Sequence, residues 1–413
     1  MPQVNSEQPL FPEVGVLALV SDQWGPQWQA RHQVLSRLSQ YFRVVWMNPP
    51  TNWRRLLKNR EASDGRYYGV PTGCSLEIYD PESWLPEFGR PAWLRNLTFR
   101  ERLKRAGKLL LGHGCQQTVL YLWQPEFAPA LRLVPHHLSV YHIDDEYSYS
   151  PLEKPVDPEE ARLIQTVGQA FIHSPAMMEK KGLLNPHTDF VPNGVDYKSY
   201  ATPVPEPEDL RQIPGPRIGY SGMLKAQMNW PLLLELSGRH PEWSFVFVGA
   251  ASRSWNSAEV LAAFSSRRNV YFLGPKTTRD LARYPQHFQV CMMPYRNDGY
   301  TKFIYPLKLH EYLAAGRPVV GSPLPTLQRF KNVVLLAETV EEWSLAVTRA
   351  LDPSATLPSA VEARQGVAQA HDWNLLVSKI AGQVARRLAL RIPEEWSGTC
   401  SPEFGRAMSP VTL

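Results

Sequence analysis

Short runs of consecutive apolar residues alternate with amphipathic stretches along most of the chain. The first run, 14–20, is followed by a stretch at 27–40 with apolar residues at helical spacing and then by a second run, 43–47. Runs that are apolar at every position are typical of parallel strands covered on both faces. The order strand, helix, strand therefore predicts an α/β protein with doubly wound parallel sheets.

The same pattern continues in both halves of the chain. Predicted strands of the first half are 14–20, 43–47, 118–123, 138–143 and 170–173, and those of the second half are 217–221, 244–249, 270–274, 290–295, 318–322 and 333–337. Predicted helices of the second half are 230–239, 258–265, 277–283, 306–315, 340–351 and 374–390. Two separate α/β sheets are expected from this arrangement.

Two domains are expected because 413 residues exceed the usual size of one. Five of the fifteen residues at 202–216 are Pro, which excludes a helix or a central strand and predicts a linker. We predict an N-terminal Rossmann-like domain at 1–201, a C-terminal one at 217–373, a helix at 374–391 that packs back on the first domain, and a loose tail at 392–413. Ligands of such sheets bind beyond the carboxyl ends of the strands, so a cleft between the domains is expected.

Composition narrows the class of protein. Apolar residues make up 43% and charged residues 20% of the chain, which excludes a mainly disordered protein. No apolar run is long enough to cross a membrane, and the N-terminus lacks the pattern of a signal peptide. Four widely separated cysteines exclude a disulfide framework or zinc ribbon and favour a cytoplasmic protein. A net charge of +5 is too small to indicate nucleic-acid binding.

One basic segment stands out at residues 89–112. It holds seven Lys or Arg and one acidic residue, and its apolar residues recur at mostly helical spacing. A basic amphipathic helix that contains Trp indicates contact with an anionic membrane surface. The alternative is a helix that packs on the core and exposes a basic face. Residues 53–58 are a possible extension of the patch.

The most informative stretch is 305–320, YPLKLHEYLAAGRPVV. Pro306 fits the first turn of a helix, and Lys308 and Glu311 share one face near its start. The N–H groups of a helix N-terminus suit a diphosphate, and a carboxylate one turn further on can accept hydrogen bonds from a ribose diol. Alternatively, Lys308 and Glu311 form an exposed ion pair on an ordinary helix.

Polar residues also follow a strand in the first half. His142, Asp144, Asp145 and Glu146 lie at its end, where carboxylates orient an acceptor hydroxyl or take its proton. His142, Asp144 and Asp145 are therefore candidate catalytic residues. The alternative is that Asp144 caps the following turn and His142 is a core residue.

The end of the first predicted strand offers a further candidate site. Ser21, Asp22 and Trp24 follow that strand, where an acceptor or the transferred sugar would rest. Trp24 either stacks on a sugar ring or fills a core. Later in the chain, Asn193-Gly194 predicts a turn with positive φ.

An ordered set of segments resembles the GT-B glycosyltransferases, in particular the glycosyltransferase family 4 (group 1) class. The resemblance covers roughly residues 14–390. The SDQW, RVVWMNPP and VYHIDDEYS segments look like a subgroup that builds bacterial surface polysaccharides, such as the teichuronic-acid-type transferases. The other matching segments are AFIHSPAMMEKKG, DFVPNGVDYKSYA, RIGYSGM, FVFVGA, NVYFLG, VCMMPY and PLKLHEYLAAGRPVV.

The resemblance implies that the C-terminal domain binds a nucleotide-diphospho-sugar and the N-terminal domain an acceptor. The sugar then passes to a hydroxyl with retention, without a bound metal or cofactor. The implied acceptor is a saccharide or lipid-linked saccharide, and the implied location is the inner face of the cell membrane. The donor-binding residues implied by the matching segments are Gly222, Gly274, Pro306, Lys308 and Glu311.

The sequence departs from the class at charged residues of the donor site. The class has two Glu eight positions apart, but Phe303 stands at the first position. The usual Arg and Lys after the Gly-rich loop fall on Met223 and near Met228. Candidate substitutes are Lys225, Lys302 and Lys308.

Other functions on related folds stay open at this point. A nucleotide-sugar epimerase would need no acceptor, and an inactive homologue would bind nucleotide without turnover. A dinucleotide-dependent oxidoreductase is disfavoured because the G-x-G-x-x-G pattern after a strand is absent.

Overall fold

The computed structural model describes residues 8–25, 28–50, 74–150, 155–252 and 258–392. The possible basic extension at 53–58 and all but the first residue of the predicted tail lie outside these ranges. The chain folds into two compact units. Unit 1 comprises residues 1–173, 177–191 and 374–413, and unit 2 comprises 174–176 and 192–373.

Unit 1 is built on a seven-stranded sheet with the order β3-β2-β1-β4-β5-β6-β7. All neighbouring strands pair in parallel. The strands are β1 (Phe11–Leu19), β2 (Phe42–Met47), β3 (Leu76–Tyr79), β4 (Gln117–Leu122), β5 (Leu138–Ile143), β6 (Gln169–Ile172) and β7 (Thr188–Phe190).

The prediction of central strands is confirmed, and two edge strands were missed. Residues 14–19 of β1 are all buried, which explains their continuous apolar pattern. By contrast, β7 reads Thr-Asp-Phe and is only half-buried, so its three residues carry no pattern. At the other edge, β3 reads Leu-Glu-Ile-Tyr, so Glu77 interrupts its apolar residues in the same way.

Within the described ranges, six helices accompany the first sheet. The long helix α2 lies against β1, because a Cβ on Gly15 would come within 2.9 Å of the Leu110 side chain. The last helix contacts α1, since Arg37 Nε donates to Asn374 Oδ1 (3.2 Å). The helices are α1 (Ala30–Leu38), α2 (Ala92–Gly112), α3 (Ala130–Leu133), α4 (Pro158–Thr166), α5 (Pro175–Lys181) and α15 (Trp373–Arg387).

Unit 2 contains a six-stranded parallel sheet with the order β10-β9-β8-β11-β12-β13. Its strands are β8 (Arg217–Ser221), β9 (Ser244–Val248), β10 (Val270–Phe272), β11 (Val290–Met293), β12 (Val319–Gly321) and β13 (Leu335–Leu336). Its helices are α6 (Tyr197–Ala201), α7 (Glu208–Arg211), α8 (Trp230–Arg239), α9 (Ala258–Ala263), α10 (Thr278–Leu281), α11 (Leu307–Ala314), α12 (Pro325–Gln328), α13 (Val340–Ala350) and α14 (Pro358–Gln369).

The two parallel sheets confirm the predicted α/β class. β1 in the first sheet and β8 in the second are interior strands. The loop after each of them carries candidate site residues. The Pro-rich segment at 202–216 lies inside unit 2, and Gln286 Nε2 donates to the Thr202 carbonyl (2.8 Å). The expectation that its Pro residues exclude a helix is wrong, because the stretch between Pro207 and Pro214 is free of Pro and contains the short α7. No helix within the described ranges is long and apolar enough to cross a membrane.

Candidate functional site

Three glycines with positive φ line the carboxyl edge of the sheet in unit 2. Gly222, Gly249 and Gly274 follow β8, β9 and β10, with φ values of 121°, 145° and 71°. The Gly249 N–H donates to the Gly274 carbonyl (2.9 Å), and a Cβ on Gly249 would meet the Gly222 carbonyl oxygen at 2.1 Å. A side chain at Gly249 would clash with this backbone, and positive φ favours glycine at all three positions, so these residues leave the backbone bare at the sheet edge.

Lys308 reaches this bare edge from α11. A Cβ on Gly222 would come within 2.6 Å of the Lys308 Nζ, so the ammonium lies directly over the glycine. The same ammonium is 4.9 Å from the centre of the Tyr220 ring. Among the described residues, no carboxylate lies within 4 Å of it. The exposed ion pair with Glu311 that was the alternative at this position is therefore not formed.

Glu311 lies one turn after Lys308 and is half-buried. Burial raises the pKa of Glu311, while the nearby Lys308 and a hydrogen bond from the Tyr200 hydroxyl oppose that rise. Tyr200 is itself buried, and burial together with the Glu311 charge raises the pKa of its hydroxyl. The structure thus brings a cation and a hydrogen-bonded carboxylate together at the start of α11.

The other two lysine candidates are placed differently. Lys225 is exposed in the loop after β8 and also has an interaction within the chain. Lys302 is half-buried, and its Nζ lies 5.1 Å from the centre of the Phe303 ring. Phe303, at the position of the missing first Glu, is buried. Of the three lysines, only Lys308 is shown beside Gly222.

The start of α11 is anchored by a segment that precedes α6. The Asn193 Nδ2 donates to the Tyr305 carbonyl (2.7 Å), just before the helix begins. Pro306 occupies the N-cap position, one residue before the expected first turn. The prediction of positive φ at Asn193-Gly194 is wrong, because neither residue adopts it. The asparagine instead acts through its side-chain amide.

In unit 1, Arg31 connects three groups at the carboxyl edge of the sheet. Its Nε lies 3.1 Å from Asp22 Oδ2, and its Nη2 lies 3.0 Å from Asp144 Oδ2. Its Nη1 donates to Ser21 Oγ (2.9 Å). The Tyr147 hydroxyl donates to Asp144 Oδ1 (2.7 Å). Asp144 is therefore fully engaged by its neighbours rather than free to meet an acceptor.

His142 belongs to the core of unit 1. It is 3% exposed, its ring stacks on Trp123 with centroids 4.1 Å apart, and its Nδ1 lies 2.8 Å from the Tyr121 hydroxyl. Burial lowers the pKa of His142 well below its usual range, so the ring stays neutral. This placement favours the core interpretation over proton transfer by His142.

The two carboxylates after Asp144 diverge. Asp145 is exposed, and its Oδ1 accepts from the Glu146 N–H (2.7 Å). Glu146 instead points into unit 1, where Lys181 Nζ lies 2.9 Å from its Oε1. Lys181 also contacts Glu160 Oε1 (2.8 Å), so a fully buried ammonium holds two carboxylates. The expectation that all three carboxylates line one open site is wrong for Glu146.

Trp24 is 8% exposed and packs in an aromatic cluster. Its ring centroid lies 5.2 Å from that of Trp46 and 5.3 Å from that of His32. Its backbone N–H donates to Asn48 Oδ1 (2.9 Å). Of the two interpretations of Trp24, the structure favours the core one.

Sequence reasoning missed Arg31, Tyr147 and Tyr200. Each is a single residue on or beside an amphipathic helix or turn, where an Arg or Tyr normally has no special role. No spacing within the sequence connects Arg31 with Asp144, since 113 residues separate them. Their proximity follows from the pairing of β1 with β4 and of β4 with β5.

The basic segment forms α2, with one face in the core and another exposed. Arg102 is 3% exposed and donates to the Leu85 and Pro86 carbonyls, so it is not part of a basic surface. Arg105 is paired with Glu82 and Glu101. The remaining exposed stripe is Trp93, Leu97, Arg100, Lys104, Lys108 and Leu111.

Comparisons with known proteins agree on the type of protein. Residues 215–352 match the family model "Glycosyl transferases group 1", which confirms the resemblance drawn from the sequence. Over 244 residues the chain is 28% identical to the "Putative teichuronic acid biosynthesis glycosyltransferase TuaH" of Bacillus subtilis (strain 168). That match covers 55% of this chain and 59% of the relative, so it spans less than two thirds of that protein.

Solved structures share the fold. Sucrose-phosphate synthase from Thermosynechococcus elongatus is similar with a TM-score of 0.67 at 17% identity, over 91% of this chain and 99% of that one. A glycosyltransferase from Rickettsia africae ESF-5 has a TM-score of 0.64 at 10% identity, over 91% and 99%. The structure of trehalose-6-phosphate from E. coli bound with UDP-2-fluoro glucose has a TM-score of 0.63 at 15% identity, over 92% and 99%. These similarities confirm the GT-B fold.

Proposed function

Because residues 215–352 match the group 1 glycosyl transferases, we propose that this chain transfers a sugar from a nucleotide-diphospho-sugar to a hydroxyl acceptor. The observation that carries the proposal is the Lys308 ammonium over Gly222, one helical turn before Glu311. Unit 2 binds the donor at this point. One similar structure contains UDP-2-fluoro glucose, which is a donor of this chemical class.

Each group at the donor site has a chemical task. The leaving nucleoside diphosphate gains negative charge as the sugar departs, and the Lys308 ammonium with the bare backbone at Gly222 stabilises it. Glu311 accepts hydrogen bonds from the ribose diol. We propose that transfer retains the sugar configuration and needs no metal. Within the described ranges, no three His, Cys, Asp or Glu side chains converge as a set of metal ligands.

Replacing Lys308 by Met is expected to weaken nucleoside diphosphate binding by roughly 10–100-fold, because a hydrogen bond to a charged group contributes about 1.5–3 kcal/mol. Calorimetric titration of the full chain with UDP, GDP, ADP and dTDP measures the effect. Lys225→Met and Lys302→Met serve as comparison variants and are expected to change affinity little. If either of them loses more affinity than Lys308→Met, the cation has been assigned to the wrong lysine.

We propose that the acceptor binds unit 1 and is a cell-surface polysaccharide or a lipid-linked saccharide precursor. The relative of Bacillus subtilis is described as acting in teichuronic acid biosynthesis, which supports an envelope polysaccharide. A sugar-transfer assay with lipid-linked oligosaccharides tests the whole proposal. Release of free nucleotide and an altered sugar without any acceptor would instead identify an epimerase, and binding without turnover an inactive homologue.

We propose that the chain works at the inner face of a cell membrane through the exposed stripe of α2. Trp93 is 67% and Leu97 57% exposed, and they occupy one end of the stripe. Arg100, Lys104 and Lys108 continue it at helical spacing. An apolar end beside a basic run suits an anionic lipid surface, into which the Trp inserts while the cations meet the headgroups.

Neutralising Lys104 and Lys108 together to Gln is expected to weaken binding to phosphatidylglycerol vesicles by about 30-fold, because each basic residue near such a surface contributes about 1 kcal/mol. Vesicle cosedimentation measures the change. Lys331→Gln with Arg349→Gln removes two exposed charges from unit 2 as the matched control. This surface is excluded as the membrane-binding site if both double variants bind the vesicles equally well, or if the unmodified chain does not bind them.

A further inference from the structure

We propose that Ser21, Asp22 and Arg31 form a subsite that selects a neutral sugar ring in the acceptor over one that carries a carboxylate or phosphate. The inference rests on the proposed function, since it specifies the acceptor chemistry of unit 1. It is drawn from the hydrogen-bonding capacity of Ser21 and from the balance of charge around Arg31.

Ser21 is held so that its hydroxyl can only donate to a ligand. Its Oγ accepts from Arg31 Nη1 (2.9 Å) and from Gln124 Nε2 (2.7 Å). A hydroxyl oxygen has two lone pairs, and both are used by these donors. No acceptor for the Ser21 hydrogen is found in the described part of the chain, and the residue is partly exposed. Its O–H is therefore available to an oxygen atom of a ligand.

Asp22 provides the complementary acceptor. Its side chain is 33% exposed, whereas its Oδ2 is buried against Arg31 Nε at 3.1 Å. These two buried atoms make no hydrogen bond, so their contact is ionic only. The rest of the Asp22 side chain, including Oδ1, accounts for the exposure. A donor and an acceptor on consecutive residues match the hydroxyl groups of a sugar ring, which both accept and donate.

Arg31 positions both residues. Its side chain is only 9% exposed, and the contact with Asp144 also holds it in place. The Nε of this guanidinium is itself buried and therefore out of reach of a ligand. Arg31 contacts no substrate in this arrangement. It acts by directing the Ser21 lone pairs and the Asp22 carboxylate.

The charge of the site disfavours anions. Asp22 and Asp144 contact the single Arg31 guanidinium and Asp145 also interacts with it, so the carboxylates outnumber the cation. Burial lowers the pKa values of His142 and His173, which therefore add no compensating charge. The buried Lys181 is paired with Glu146 and Glu160. A uronate or phosphate at this position would be repelled, whereas a neutral polyol would not.

The test measures saccharide binding to the full chain without any donor, by ligand-observed NMR titration. The probes are the p-nitrophenyl glycosides of glucose, galactose, mannose and N-acetylglucosamine, and the glucuronide and galacturonide as anionic counterparts. The neutral glycoside that binds most tightly is expected to have an affinity at least about tenfold higher than the best uronide. The reason is that repulsion between like charges in such a site lowers affinity by about tenfold or more.

Two variants in the site and one matched control sharpen the result. Asp22→Asn removes one excess charge and should narrow the ratio between neutral and anionic affinities to about threefold. Ser21→Ala keeps the charge and should weaken the neutral glycosides while the site still rejects the uronides. Glu13→Gln removes one charge at the amino end of β1, at the opposite edge of the sheet, and should leave the ratio unchanged.

Specific outcomes would overturn the inference. They are equal affinities in the unmodified chain, a preference for uronides, no neutral binding up to the solubility limit, or a ratio that Asp22→Asn does not change. Nucleoside diphosphate binding is measured in parallel. If nucleoside diphosphates bind but neutral glycosides are not preferred over uronides, only the subsite is wrong. If neutral glycosides are preferred but nucleoside diphosphates do not bind, the proposed donor function is wrong.

Discussion

Turnover by the Asp145→Asn variant is expected to fall by roughly 10²–10⁴-fold, the range in which a positioned acid or base contributes to a rate. Asp145 is the carboxylate after β5 that stays exposed, whereas Asp144 is held by Arg31 and Tyr147. The Asp145 Oδ1 accepts from the Glu146 N–H, which fixes the carboxylate at the start of the turn. Asp145 is therefore the group of this turn that can orient an acceptor hydroxyl or take its proton.

The measurement is the rate of sugar transfer, with donor affinity determined in parallel. Donor affinity should stay nearly constant, because the donor binds unit 2. Glu159→Gln removes an exposed charge from the first turn of α4 in the same unit and should transfer sugar at nearly the unmodified rate. An Asp145→Asn rate within a factor of a few of the unmodified protein would leave Asp145 with only a structural role in the turn.

The Glu311→Ala variant is expected to bind nucleoside diphosphates roughly 10–1,000-fold more weakly, because one hydrogen bond to a charged group contributes about 1.5–3 kcal/mol and the two bonds to the same carboxylate are not fully additive. Glu311→Gln should lose less, since its amide oxygen still accepts. Calorimetric titration measures both, and Glu362→Ala on an exposed face of α14 controls for the loss of a carboxylate in the same unit.

A comparison with a 2′-deoxyribose donor separates a ribose contact from general damage. The deoxy donor should bind the unmodified protein poorly and lose little more in Glu311→Ala, because the hydroxyl partner is already gone. If Glu311→Ala folds normally and binds both donors as well as the unmodified protein, the ribose role is refuted.

The pH dependence gives an independent signature of the same carboxylate. Burial raises the pKa of Glu311, so the side chain takes up a proton at a higher pH than an exposed Glu does. A protonated carboxyl accepts less well from the ribose diol. Nucleotide affinity should therefore fall as the pH is lowered through that pKa, and Glu311→Gln should lack this dependence.

The central strands were predictable because burial on both faces favours a continuous apolar run, as at residues 14–19 of β1, which are all buried. The edge strands β3 and β7 were not predicted, since Glu77 and Asp189 interrupt their apolar residues, whereas the equally short edge strands β10 and β13 contain no charged residue. The order of the strands in each sheet could not be predicted from the apolar pattern either, because hydrogen bonds between strands link residues that are distant in sequence.

The donor candidates Lys308 and Glu311 were accessible to sequence reasoning because three positions on a helix place them on one face. The sequence could not distinguish Lys308 from Lys225 and Lys302, since the distinction depends on which ammonium reaches Gly222. Similarly, the exposed stripe of α2 follows from helical spacing, but the burial of Arg102 depends on the Leu85 and Pro86 carbonyls that surround it.

By itself, the sequence determined the α/β class, the two sheets, the group 1 resemblance and the helix that carries Lys308 and Glu311. These properties depend on periodicity, local spacing and ordered motifs, all of which are local in the chain. The tertiary structure alone decided that His142 and Trp24 are core residues, that Glu146 turns inward, and that Arg31 joins Ser21, Asp22 and Asp144. Burial and ion pairing depend on which strands and helices become neighbours, and no spacing within the chain specifies that.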